Sequence, residues 1–176
     1  LYNETLGKAI LPTPAIGAVG LIDNIDNMAT IDLKTPDETL LLIGDTFGHL
    51  GRSIYLREIF SREDGRPPPV DLNVEKRNGE FVLDLIKSGQ VSTCHDISDG
   101  GILITIAEMI LAGIQNGKKI GAYIEPKEIG TNLEAWLFGE DQARYVISAP
   151  KEQYNMIIAQ SLKKKCAFKS YWKNWG

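Results

Sequence analysis

Two rhythms of apolar and polar positions run along these 176 residues, and the rhythm changes at clusters of Gly, Pro and Asp. Thr39 to Ile43 carries the unbroken run Leu-Leu-Leu-Ile between Pro36-Asp37 and Gly44-Asp45. A short apolar run bounded by turn residues predicts a strand buried on both faces. Gly44, Gly48 and Gly51 then mark a loop, and Ile54 to Phe60 predicts a helix. After the stiff connector Arg66-Pro67-Pro68-Pro69, Leu72, Val74, Phe81, Val82, Leu85 and Ile86 recur at helical spacing. Asp71 as N-cap and Gly89 as stop bound that helix within Val70 to Lys87, with Gly79 a weak point inside it. Val91 to Cys94 reads as a short buried strand, and Ile102 to Ala112 as a helix stopping at Gly113. Ile120 to Ile124 and Arg144 to Ser148 predict strands, with Asn132 to Phe138 a short helix between them. Pro150 opens a last helix through Lys165, with Tyr154, Ile157, Ile158 and Leu162 on one face. Strands alternate with helices throughout, so the class is α/β (α+β), a mixed sheet with helices packed on it.

Composition narrows the picture. Hydrophobic residues make up 43% and charged residues 24%, with a net charge of -4, enough for one domain with a core. A nucleic-acid partner needs a basic face. The one basic run, Lys163-Lys164-Lys165, sits at a helix end, where it complements the helix dipole. Cys94 and Cys166 form no disulfide framework or metal-ligand spacing, and no metal is assigned. No apolar run reaches membrane-spanning length and no signal peptide is visible, so neither a membrane nor a nucleic acid is expected, and the cytoplasm is the expected compartment. The chain opens on Leu1 and reads as a piece of something longer. Its N-terminal apolar residues Ile16, Val19, Leu21 and Ile22 are expected to lie exposed, where a neighbouring domain would cover them.

The candidate chemistry lies in Cys94-His95-Asp96-Ile97-Ser98-Asp99-Gly100-Gly101, between a strand and a helix. Adjacent glycines leave backbone N–H groups uncovered, and a helix start adds partial positive charge, the recipe for a phosphate site. Asp96 and Asp99 are placed to hold magnesium beside such an anion, with Ser98, Gly100 and Gly101 facing it. The competing reading is a plain strand-to-helix turn, with Ser98 or Asp99 capping the helix. His95 and His49 are the only histidines. A structural hydrogen bond is the favoured role for His95, and no substrate geometry supports His49.

The motif His95-Asp96-Ile97-Ser98-Asp99-Gly100-Gly101 resembles the signature of phosphoribosylformylglycinamidine (FGAM) synthase. Tyr2-Asn3-Glu4-Thr5, Ile10-Leu11-Pro12-Thr13-Pro14 and Gly17-Ala18-Val19-Gly20 are similar to a second block of that family, and Leu137 to Tyr145 to a third. The resemblance implies residues 1–23 as the tail of a preceding ATP-binding domain plus linker, and 24–176 as an aminoimidazole ribonucleotide (AIR) synthase C-terminal-like domain. It implies a ligase that uses ATP to join glutamine-derived ammonia to formylglycinamide ribonucleotide. ATP or ADP and magnesium serve the full enzyme, and its partners are the rest of the synthetase chain and a glutaminase. Another ATP-using member of the AIR synthase superfamily, or a non-catalytic packing module, are the alternatives.

Carried over residue by residue, the resemblance assigns this chain no catalytic residue. It implies a relic nucleotide site at the turn and a substrate-like element at Glu140, Asp141 and Gln142. There Asp141 stands where the family's active copy has a hydroxyl, a charge expected to repel a ribose phosphate. Family members close the domain with a strand similar to Lys-Val-Ile-Gly-Lys-Ile-Gly. Here Lys169 to Trp175 reads Lys-Ser-Tyr-Trp-Lys-Asn-Trp, which one inserted A in AT-rich codons would produce. The closing strand is therefore expected to be disrupted after Phe168.

Overall fold

The computed structural model describes residues 3–10, 15–125 and 130–175, from residue 169 on as backbone alone. Tyr2 and Leu11 to Pro14 of the N-terminal block lie outside the described residues. A small hairpin pairs β1 (Glu4–Thr5) with β2 (Lys8–Ala9). Residues 15–26 then run fully exposed, with Ile16, Val19, Leu21 and Ile22 all open to solvent, as expected from the sequence.

The body is built in the order β3 (Thr39–Ile43), α1 (Ile54–Phe60), α2 (Leu72–Lys87), β4 (Thr93–Asp96), α3 (Gly101–Gln115), β5 (Gly121–Ile124), α4 (Leu133–Phe138), β6 (Tyr145–Ala149), α5 (Tyr154–Lys164) and β7 (Phe168–Trp175). One five-stranded sheet runs β4-β6-β3-β7-β5, each neighbouring pair antiparallel. A parallel bridge from Thr30 to Thr93 makes the β4 edge mixed.

All five residues of β3 are buried, which explains their unbroken apolar run. Leu40 and Leu42 face Ile102, Ile106 and Met109 of α3 and Trp136 of α4. Leu41 and Ile43 face Phe81, Val82 and Leu85 of α2 and Ile157 of α5. Neither face of the central strand meets water, so period-2 alternation has no work to do there. Phe81 and Leu85 are each 1% exposed. Burying side chains of this size contributes about 1.5–3 kcal/mol apiece.

The helix boundaries follow local signals with one exception. Asp71 caps α2 by accepting from Asn73 and Val74, and Gly89 follows its end at φ +69°. Gly79 does not interrupt it. By contrast, α3 runs through Gly113 to Gln115, with Asn116 as its C-cap. Gly113 is a close-approach residue, because an added Cβ would sit 3.1 Å from the Leu33 carbonyl oxygen. The chain turns instead at Gly117, φ +77°. In α5, Ile157 and Ser161 are buried while Leu162 is 71% exposed. The Ser161 hydroxyl donates to the Ile158 carbonyl at 2.8 Å, so a polar residue can take the inward position.

The tail also departs from expectation. Residues 168–175 form β7, paired with β3 on one side and β5 on the other. The register steps from Leu41↔Ser170 to Leu40↔Trp172, leaving Tyr171 as the extra residue of a bulge. Backbone pairing carries the strand here, since N–H and C=O groups between β3 and β5 need partners whatever the side chains.

Candidate functional site

Four loop segments meet at one end of the sheet: 44–51 after β3, the start of α1, the turn 96–101 after β4, and 139–144 before β6. Glycines make the approach possible. A Cβ on Gly139 would lie 2.8 Å from the Gly48 Cα and 2.4 Å from the Ala135 carbonyl oxygen. Gly101, at φ +73°, would carry its Cβ to 2.7 Å from the Gly139 oxygen. Backbone packs on backbone with no side chain between.

Asp141 holds this junction. It is 4% exposed, and its carboxylate accepts from the N–H groups of Phe47 (3.0 Å), Gly48 (2.8 Å) and His49 (3.2 Å). Arg144, 1% exposed, lies beside it with Nη1 3.8 Å from Oδ2. The Arg144 guanidinium also donates to the carbonyls of Asp141 (2.9 Å) and Gly139 (2.6 Å) and to the Thr46 hydroxyl (3.2 Å). Burial pushes Arg144 down to about 10, while the carboxylates of Asp141 and Glu140 pull the other way. The expected repulsion of a ribose phosphate by Asp141 is thereby corrected: the carboxylate points inward and its charge is met by three N–H donors and a guanidinium.

Glu140 is also turned inward. Its Oε1 accepts from Ile54 N–H at 2.8 Å and Gly100 N–H at 2.9 Å. Gln142 remains exposed and folds its amide back onto the Glu140 carbonyl at 3.1 Å.

The turn itself offers fewer donors than its sequence implies. Ile97 N–H donates to the Arg144 carbonyl, Gly100 N–H to Glu140, and Gly101 N–H to the Ser98 carbonyl. Capping by Ser98 or Asp99 is absent too: Gly100, at φ +80°, is the N-cap of α3, and no side-chain bond caps it. Ser98 and Asp99 are exposed. Asp96 lies 3.2 Å from His95 Nδ1, whose ring Nε2 is 3.1 Å from Glu108. His95 thus ties β4 to α3, the structural role expected of it. His49 points its Nε2 at the Arg66 carbonyl and serves the loop. Cys94, facing the α2 and α5 core, is pushed up to about 12 by burial, with Asp96 adding to the shift.

Among the described residues no three His, Cys, Asp or Glu side chains converge on a metal position. Glu140 is spent on N–H donors and Asp96 lies beside His95, while Asp99 stays exposed at the turn. Sequence reasoning gave Arg144 no role, although it lies in the Leu137 to Tyr145 block and at the head of a buried strand.

The chain and its fold have counterparts among known proteins. Residues 35–169 match the family model described as AIR synthase related protein, C-terminal domain. The chain is 54% identical over 165 residues to phosphoribosylformylglycinamidine synthase subunit PurL of Parvibaculum lavamentivorans, covering 93% of this chain and 22% of that protein. It therefore spans about a fifth of the length of that relative. PurL of Thermotoga maritima complexed with ATP superposes with a TM-score of 0.64 at 17% identity, over 86% of this chain and 24% of that one. PurLQS from the same organism gives 0.63 at 19% identity, over 85% and 24%. These two likenesses carry the fold. The chain, matched by the family model over most of its length, belongs to the AIR synthase related proteins and carries their C-terminal domain.

Proposed function

We propose that the chain is the C-terminal unit of the synthetase subunit of an FGAM synthase, the ATP-dependent ligase of purine biosynthesis that converts formylglycinamide ribonucleotide and glutamine-derived ammonia to FGAM. The observation that carries this reading is 54% identity to a PurL over 93% of the chain. Within that enzyme the unit is non-catalytic. Glu140 and Asp141 at the loop junction are turned inward, and the Ile97, Gly100 and Gly101 N–H groups of the turn 96–101 already have acceptors within the chain. ATP and magnesium serve the enzyme through other parts. Residues 1–23 belong to a preceding domain and linker, which fits the exposure of the described residues 3–10 and 15–23 and a family match that begins at residue 35. The rest of the synthetase chain is the proposed cover for the exposed Ile16, Val19 and Leu21, and a glutaminase is the ammonia-supplying partner. The cytoplasm is the proposed compartment. No described helix is long and apolar enough to cross a membrane.

A chimaera tests the proposal. The corresponding C-terminal segment of the Parvibaculum relative is replaced by this chain, and ATP-dependent FGAM formation with ammonia is measured. Activity in the chimaera, and none from the chain alone, is the expected result. An inactive but folded chimaera, or turnover by the chain alone, overturns it.

A further inference from the structure

Glu140 joins three separated parts of the chain. A single oxygen, Oε1, receives N–H groups from the starts of two different helices, Ile54 of α1 and Gly100 of α3. The Glu140 N–H donates in turn to the His49 carbonyl at 2.9 Å, so the same residue grips the loop 44–51. Its neighbour Asp141 holds the next three amides of that loop. The donors have little freedom to turn elsewhere. Gly100 sits at φ +80° with Ile104 packed where a Cβ would go, and Gly101 abuts the Gly139 backbone. Two backbone amides from separate elements aimed at one point suit an anionic oxygen, because N–H donors bond most strongly to a charged acceptor.

We infer that Glu140 is a positioning residue that supplies this anion internally: its carboxylate latches α1, α3 and the loop 44–51 into one unit and takes the Gly100 amide that a phosphate at the turn would otherwise meet. The inference rests on the reading of this chain as a non-catalytic domain, and it says what occupies the Gly100 amide in it. Glu140 serves the fold through the amides it holds.

Amide hydrogen exchange on the full chain tests it. In Glu140→Ala, Ile54 and Gly100 should exchange roughly 10- to 100-fold faster, the loss expected for a bond to a charged acceptor. Leu56, whose N–H is held separately by the Ser53 hydroxyl, should stay protected. Glu140→Gln, whose Oε1 can accept both bonds, should recover most of the protection. If Glu140→Ala fails to fold, Glu140→Asp takes its place: it keeps the charge, cannot reach both amides, and should loosen the same two sites. In the unmodified chain, inorganic phosphate should leave the Gly100 amide resonance unmoved. The inference is overturned if Ile54 or Gly100 is unaffected in the variants, if Gln fails to rescue, or if phosphate shifts Gly100 with Glu140 in place. A failed chimaera would leave these amide results standing, so the two proposals fail separately.

Discussion

Removing the Asp141 carboxylate should be among the costliest single changes in the domain. Asp141→Ala strips acceptors from three backbone N–H groups at 2.8–3.2 Å and leaves Arg144, 1% exposed, without the carboxylate beside it. A hydrogen bond to a charged group contributes about 1.5–3 kcal/mol, but three on one carboxylate do not add. Breaking a buried ion pair by deleting one partner costs about 3–5 kcal/mol, which sets the expected loss. In a domain of this size each kcal/mol moves the melting temperature about 2–4 °C, so a fall of roughly 6–20 °C follows. Asp141→Asn should recover little, because its NH2 group would face an N–H donor. Urea unfolding followed by fluorescence reads the loss, since Trp136 is 1% exposed and reports the core. In a double-mutant cycle with Arg144→Met, the two changes should cost less together than the sum of each alone. A loss below about 1 kcal/mol for Asp141→Ala, with additive behaviour in the cycle, would refute the reasoning, because a buried guanidinium cannot lose its counter-charge so cheaply.

Two glycines should respond to alanine with opposite signs. Gly139→Ala should destabilise by about 1–3 kcal/mol through crowding alone, since its φ of -64° suits any residue while its Cβ would meet backbone at 2.4 Å. Gly79→Ala should stabilise by about 0.5–1 kcal/mol, because it lies within α2 and an added Cβ meets only the Tyr145 hydroxyl at 3.4 Å. Equal effects in thermal melts would show that packing at the loop junction is looser than described. Cys94 keeps its proton in the fold up to about 12, against 9.0 when free, so its contribution is present below pH 9 and is lost as pH climbs toward 12. The stability difference between wild type and Cys94→Ala should therefore fall by about 1.4 kcal/mol per pH unit in that window, and a flat difference would exclude it. For the tail, we propose that residues 170–175 are read out of frame; the family match ends at Lys169. Replacing them by Val-Ile-Gly-Lys-Ile-Gly puts Val opposite the buried Leu41 and should raise the melting temperature; a lower value, or a resequenced locus with no such frame, counts against the proposal.

Features that depend on near neighbours were legible in the chain alone. Strand β3 was legible because Leu40 to Ile43 lie between turn residues, and α2 because Asp71 and Gly89 mark its ends. The family was legible in linear motifs. What contacts between distant residues decide was hidden. Gly113 reads as a helix stop until Leu33 is seen packed against it. Tyr171 to Trp175 carries no strand pattern, yet the gap between β3 and β5 imposes one on the backbone. At the site, Glu140 and Asp141 looked like charges offered to a ligand. Their partners, Phe47 to His49, Ile54 and Gly100, lie 40 or more residues away in the chain. A carboxylate reads the same in sequence whether it faces solvent or a nest of amides. Only the fold, by bringing those amides to it, decides where its charge is spent.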